Sequence, residues 1–164
     1  MDHPGSVRDA YSSMSEQYIG LFDDAAGWQA HEGDAALVRR HLTGLSGPVL
    51  DLGCGPGHWS AYLHSLGVDV TGIDMVPEFI AHARAAHHGP TFRLGSMTEV
   101  GVPERSVSGV LSWCSTIHLS PAELDRTLAV FRRLLVSSGV LVVGFFDSDD
   151  DVIDLRSFAG LDSY

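Results

Sequence analysis

Apolar positions recur along this chain with two different periods. Val7, Ala10, Met14, Tyr18, Leu21 and Phe22 follow helical spacing and predict a first amphipathic helix. Ser6 is placed to cap it, with Asp9 three residues on. Leu37, Val38, Leu42 and Leu45 predict a second helix after Asp34, ended by Gly44 and Gly47. From Pro48 onward, short apolar runs alternate with helical patterns. The runs are Val49 to Leu52, Val68 to Ile73, Thr91 to Leu94, Val107 to Trp113 and Val140 to Phe146. Between them, Trp59, Tyr62, Leu63 and Leu66 mark one helix, and Pro77, Phe79, Ile80 and Ala83 another. Ser120-Pro121-Ala122-Glu123 is a capping box with proline at the first helical position. Leu124, Leu128, Phe131 and Leu135 form the inner stripe of the helix it opens.

Strand and helix thus alternate, which predicts an α/β, doubly wound, Rossmann-like and mostly parallel sheet with helices on both faces. The pattern divides one structural domain into a helical N-terminal cap (1–46), an α/β core (47–146) and an acidic C-terminal tail (147–164). That tail carries six aspartates and one arginine. It reads as a solvated end.

Composition narrows the function classes. The chain has 164 residues and is 45% hydrophobic, enough for one sizeable core. Its formal charge of −11 opposes binding to phosphate backbones or anionic membranes, so neither nucleic acid nor membrane is an expected partner. All ten cations are arginine. Without lysine there is no Schiff base and no Walker-type phosphate loop. Two cysteines, Cys54 and Cys114, make no disulfide framework. Nine histidines show no metal-binding spacing, and no metal is expected. The first residues carry neither a basic start nor an apolar signal core, and no apolar run is long enough for a membrane span. A cytoplasmic setting is the expectation.

The candidate chemistry follows the first strand. Asp51-Leu52-Gly53-Cys54-Gly55-Pro56-Gly57 ends that strand and leads into a helix, whose free N–H groups face the loop. Glycines there let backbone approach a ligand closely. A dinucleotide fingerprint would need glycine at position 58, where this chain has His58. Asp51 beside the loop would repel a pyrophosphate and attract a cationic amino group. Asp74, at the end of the second strand, suits the two hydroxyls of a ribose. The expected ligand is a nucleoside with a positively charged portion and no phosphates.

Val49-Leu50-Asp51-Leu52-Gly53-Cys54-Gly55-Pro56-Gly57-His58-Trp59-Ser60 resembles the glycine-rich first motif of class I S-adenosylmethionine-dependent methyltransferases. The small-molecule and ubiquinone/menaquinone-type subgroup is the most similar, over roughly Tyr11 to Phe146. The resemblance implies S-adenosylmethionine as cofactor. It implies that Gly53, Cys54, Gly55 and Gly57 form the loop under the methionine and ribose portions. Asp51 at its base would order the loop or meet the amino group. Asp74 would take the ribose hydroxyls and Met75 would pack on adenine. Where the family often has Gly-Asp after the third strand, this chain has Gly95-Ser96-Met97; Ser96 departs from the pattern, and the Met97 backbone is left to serve. Trp113-Cys114-Ser115, at the end of the fourth strand, would run beneath the methionine portion. Tyr11 and Tyr18 match positions that close over the cofactor, although Tyr18 also fits ordinary core packing.

The implied activity is methyl transfer to a small-molecule acceptor by in-line displacement, with positioning supplying most of the acceleration. His118 follows the fourth strand at the ligand edge, where a general base or positioning group would stand. Two other readings stay open: a non-catalytic or truncated S-adenosylmethionine-binding module, and an NAD-dependent oxidoreductase. The family's sheet usually ends in an antiparallel hairpin, absent from these five strands. Val140 to Phe146 would then lie at an edge. That implies either a chain cut short of a longer parent or a homodimer through the last strand.

Overall fold

The computed structural model describes residues 4–23 and 31–145, with side-chain environments from residue 7. Five strands form one sheet in the order β3-β2-β1-β4-β5, all neighbours parallel. They are β1 (Val49–Leu52), β2 (Val70–Asp74), β3 (Thr91–Leu94), β4 (Val107–Trp113) and β5 (Leu135–Gly144). Chain order reverses between β1 and β4, so the crevice at their carboxyl ends is where such a sheet binds ligands.

Six helices accompany the strands: α1 (Pro4–Ser13), α2 (Ser15–Gly20), α3 (Glu32–Leu42), α4 (His58–Ser65), α5 (Pro77–Ala86) and α6 (Pro121–Leu134). Successive strand residues point to opposite faces. Val49, Val70, Leu111 and Val142 pack against Val38 and Leu42 of α3 and Leu63 of α4. Leu50, Leu52, Ile73 and Val110 pack against Phe131 and Leu134 of α6. On α5, Ile80 and Ala83 meet Cys54 and Phe92. Burying a side chain of this size contributes roughly 1.5–3 kcal/mol. The two half-cores therefore fix which way each strand faces.

Several boundaries differ from the sequence pattern. The first helix is two helices, broken at Met14, where φ is −112° and ψ is 12°. Serines explain the break. The Ser13 and Ser15 hydroxyls donate to the carbonyls of Ala10 and Ser12, competing with helical hydrogen bonds. Ser6 lies inside α1, which already begins at Pro4, so it is not the cap. The third helix starts at Glu32 rather than after Asp34 and ends at Leu42, leaving Leu45 to pack from the following loop. The second strand spans 70–74 rather than 68–73.

The last strand begins at Leu135, immediately after α6. Val107 pairs with Leu135 but Gly109 pairs with Val140, so residues 136–139 bulge from the ladder. The α6 capping box forms as its residues predict, with the Ser120 N–H donating to Glu123 Oε2 at 2.9 Å. Among the described residues β5 pairs only with β4. Phe146 and the acidic tail lie outside the described residues.

Candidate active site

The carboxyl ends of β1, β2 and β4 converge on one pocket of about 600 Å³, its open mouth included. Its floor is the glycine loop. Gly53 N–H and Cys54 N–H both donate to the Ile73 carbonyl, at 2.8 and 3.1 Å, stitching the loop to β2. Gly53 has φ of +79°, and a Cβ there would lie 2.2 Å from the Ser115 side chain. The Ser115 hydroxyl in turn donates to the Leu52 carbonyl at 2.7 Å. Gly55 also has positive φ, +52°, but a Cβ there would meet nothing within 4 Å. Its open side belongs to the pocket it lines.

Asp74 forms the second strand's contribution. Its Oδ2 accepts from Gly55 N–H at 2.8 Å and its Oδ1 from Val76 N–H at 2.9 Å. The Met75 N–H bears on the same carboxylate, and of its roughly four acceptor sites at least one is left for a ligand. Burial raises the Asp74 pKa, against the lowering effect of those N–H donors. Asp51 is oriented differently. Its carboxyl is fully buried and accepts from the Ser60 hydroxyl of α4 at 2.7 Å. It does not line the pocket. Of the two roles the resemblance implied, this placement suits ordering of the loop. Burial pushes its pKa to about 7, against the lowering hydrogen bond from Ser60, and Asp74 adds a smaller upward push.

The α1–α2 segment roofs the site. Tyr11 and Tyr18 line it, their rings 5.4 Å apart and 6.0 and 5.1 Å from Phe79. Burial is the main cause that raises both phenols, Tyr11 to about 12, so neither ionises near neutral pH. Tyr11 Oη lies 2.9 Å from His118 Nε2, joining the roof to the loop after β4. Either atom can donate in this pair, because a neutral phenol both donates and accepts and the imidazole's role follows its tautomer. Cys114 lines the wall with φ of +52°, uncommon for a residue with a side chain. Burial raises its thiol, so it is no ready nucleophile.

Of the residues singled out in the sequence, Tyr11, Tyr18, Gly53, Gly55, Asp74, Met75, Met97, Trp113 and His118 line the pocket. Asp51, Cys54, Gly57 and Ser96 do not. Cys54 is buried against α5, its thiol held far above the usual range by burial. Gly57 is the left-handed N-cap of α4, where a Cβ would strike Phe92 and Ala83. The Ser96 hydroxyl sits 2.8 Å from Thr98 Oγ1 and accepts from the Thr98 N–H, closing a local turn. Arg8 and Phe79 line the pocket and were not anticipated, whereas Ser115 lines it as expected for the end of the fourth strand. Arg8 shares a helical face with Tyr11, three residues on, and that spacing was the available signal. Among the described residues no group of three or more His, Cys, Asp or Glu side chains is placed to hold a metal ion, and no helix is long and apolar enough to cross a membrane.

The family described as "Methyltransferase domain" matches residues 49–139. A malonyl-[acyl-carrier protein] O-methyltransferase of Serratia marcescens is 33% identical over 130 residues, covering 73% of this chain and 48% of that protein. A dTDP-3-amino-3,6-dideoxy-alpha-D-glucopyranose N,N-dimethyltransferase of Streptomyces fradiae is 31% identical over 110 residues, covering 66% of this chain and 43% of that protein. The chain thus spans about half the length of the curated relatives it matches. A TehB-like S-adenosylmethionine-dependent methyltransferase from Corynebacterium glutamicum superposes with a TM-score of 0.70 at 25% identity, covering 93% of this chain and 81% of that one.

Proposed function

Because the chain belongs to the class I S-adenosylmethionine-dependent methyltransferases, we propose that it transfers a methyl group from S-adenosylmethionine to a small-molecule acceptor. The carrying observation is the Gly55–Asp74 contact at the sheet's switch point. It presents an open glycine backbone beside a carboxylate that keeps acceptor capacity for a ligand. That combination fits a ribose and a cationic ligand portion, and it disfavours a pyrophosphate. A sulfonium-bound methyl group is electrophilic, so the protein's task is mostly to position and desolvate.

Each residue then has a defined part. Asp74 receives the ribose hydroxyls, while Met75, Val76, Phe79 and Met97 supply apolar surface for the base. Asp51, through Ser60, holds the loop from below. Ser115 and Trp113 support the methionine portion. Among the described residues Arg8 is the one arginine lining the pocket, and its guanidinium is held by the Asp9 carboxylate through Nε and one terminal nitrogen at 2.9 and 2.7 Å. Tyr11 and His118 face the acceptor. With the ring proton on Nε2 and donated to Tyr11 Oη, Nδ1 of His118 is the nitrogen that takes the proton from an acceptor hydroxyl or ammonium group.

The Serratia relative is named for O-methylation and the Streptomyces relative for N-methylation. The acceptor is therefore a small oxygen or nitrogen nucleophile. We place the activity in the cytoplasm. A second copy pairing along the edge of β5 that is unpaired among the described residues belongs to the same reading. The test is methyl transfer from labelled S-adenosylmethionine over carboxylic acids, phenols and amines. Turnover is expected with at least one class, and H118A should slow it by roughly 10²- to 10⁴-fold with cofactor affinity kept. Cofactor binding without turnover on any acceptor would favour the non-catalytic module, and binding of NAD instead would favour the oxidoreductase.

A further inference from the structure

Three imidazoles that methyl transfer leaves unused surround one carboxylate at the end of the roof segment. Asp23, just beyond α2, places Oδ1 3.5 Å from His58 Nε2 and Oδ2 3.1 Å from His82 Nε2. The His87 ring lies 5.3 Å from that of His58 and 6.3 Å from that of His82. His58 is the first residue of α4, directly after Gly57, and its side chain is 9% exposed. His87 caps the end of α5 and hydrogen-bonds the Pro56 carbonyl. Both rings therefore abut the glycine loop. Phe22, beside Asp23, stacks 4.8 Å from His58 and 5.1 Å from Tyr18, which lines the pocket. The cluster is the joint between roof and floor. It is not a ligand set for a metal ion.

We propose that Asp23, His58, His82 and His87 form an acid-labile latch, which holds residues 15–23 over the pocket at neutral pH and releases them on mild acidification. One carboxylate balances one imidazolium. Further protons would place unbalanced charge in a largely buried space, at a cost that outward movement of the segment relieves. The ionisable groups facing His58 are Asp23 from the end of α2 and His82 and His87 from α5. Those facing His87 are His82 and Asp23.

Burial, then the neighbouring His87, lowers His58 to about 4, outweighing the upward pull of Asp23. Burial and His82 lower His87 in the same direction. Between pH 6.5 and 4, His58 and His87 thus hold fewer protons in the closed arrangement than in the released one. Closure therefore weakens as pH falls through that window. From His58 alone, the opening constant rises roughly thirtyfold between pH 7.5 and 5.

The effect on cofactor affinity rests on the reading of the pocket as an S-adenosylmethionine site, whereas the opening itself does not. Hydrogen exchange of the cofactor-free protein, corrected for intrinsic rates, separates the two. Protection of residues 15–23 is expected to fall roughly tenfold to thirtyfold from pH 7.5 to 5, with β1 and β4 still protected. H87Q should show a smaller fall, and H58Q/H87Q a nearly flat profile. S-adenosylmethionine should bind the wild type more weakly at pH 5, with a smaller loss in H87Q. If exchange follows this pattern but no cofactor binds at either pH, the latch stands and the cofactor reading fails. Equal protection at the two pH values in the wild type overturns the latch, as does loss of protection in β1 and β4 together with the segment.

Discussion

At Asp51 a carboxyl group is used as a buried strut, and its protonation is coupled to folding. Its pKa is raised from the ordinary carboxylate range to about 7, so between those values the folded protein binds more protons than the unfolded chain. Stability is therefore highest at the acid end of that window and declines as pH rises through it, by up to about 1.4 kcal/mol per pH unit. D51N keeps an acceptor for Ser60 and removes the charge. Denaturant unfolding of both proteins from pH 5 to 7.5 should show the wild type losing stability relative to D51N. Parallel curves would remove Asp51 from this role. Gly55 tests the ligand side of the same loop. G55V adds a branched side chain at positive φ on the pocket-facing side, so cofactor affinity should fall by more than tenfold in a titration. That Gly53, Gly55 and Asp74 would line one pocket was legible because it follows from spacing along the chain. The orientation of Asp51 was not, because it depends on Ser60 reaching back from α4, a contact that spacing does not encode.

Among the elements, the roof segment is the one whose behaviour should depend on ligand. Ser12 ties α1 to Glu78 of α5 at 2.7 Å, and Tyr18 rests on Phe79. Most of its surface is otherwise exposed. Amide exchange over residues 7–23 should slow when S-adenosylmethionine is added at pH 7.5, while exchange in α6 stays unchanged. Equal rates with and without cofactor would make α1 and α2 ordinary packing. Helical periodicity located this segment but not its break at Met14, because Val7, Ala10 and Tyr18 keep their phase across it. The break comes from serine hydroxyls bonding to backbone carbonyls three residues back. The early start of β5 escaped for a similar reason. Leu135 satisfies the inner stripe of α6 and the edge of the ladder equally well, and the bulge at 136–139 absorbs the mismatch.

Across the whole molecule, five parallel strands place the ends of β1, β2 and β4 around one pocket, and alternation of patterns along the chain was enough to anticipate that arrangement. What covers the outer edge of β5 was not legible, because pairing along an edge is decided by groups outside the strand. Leu141 in this strand and Phe145 just beyond it are 38% and 71% exposed. If a second copy covers this edge, sedimentation should show a concentration-dependent dimer that proline at position 141 abolishes. A wild type that stays monomeric over the same range would exclude the pairing. The central claim is that the Gly55–Asp74 pair receives S-adenosylmethionine. Calorimetric titration of S-adenosylmethionine into the wild type and D74A tests it most directly. One saturable site is expected in the wild type, with affinity lowered roughly tenfold to a hundredfold in D74A, equivalent to about 1.5–3 kcal/mol. No binding to the wild type, or equal affinity in the two proteins, would contradict it.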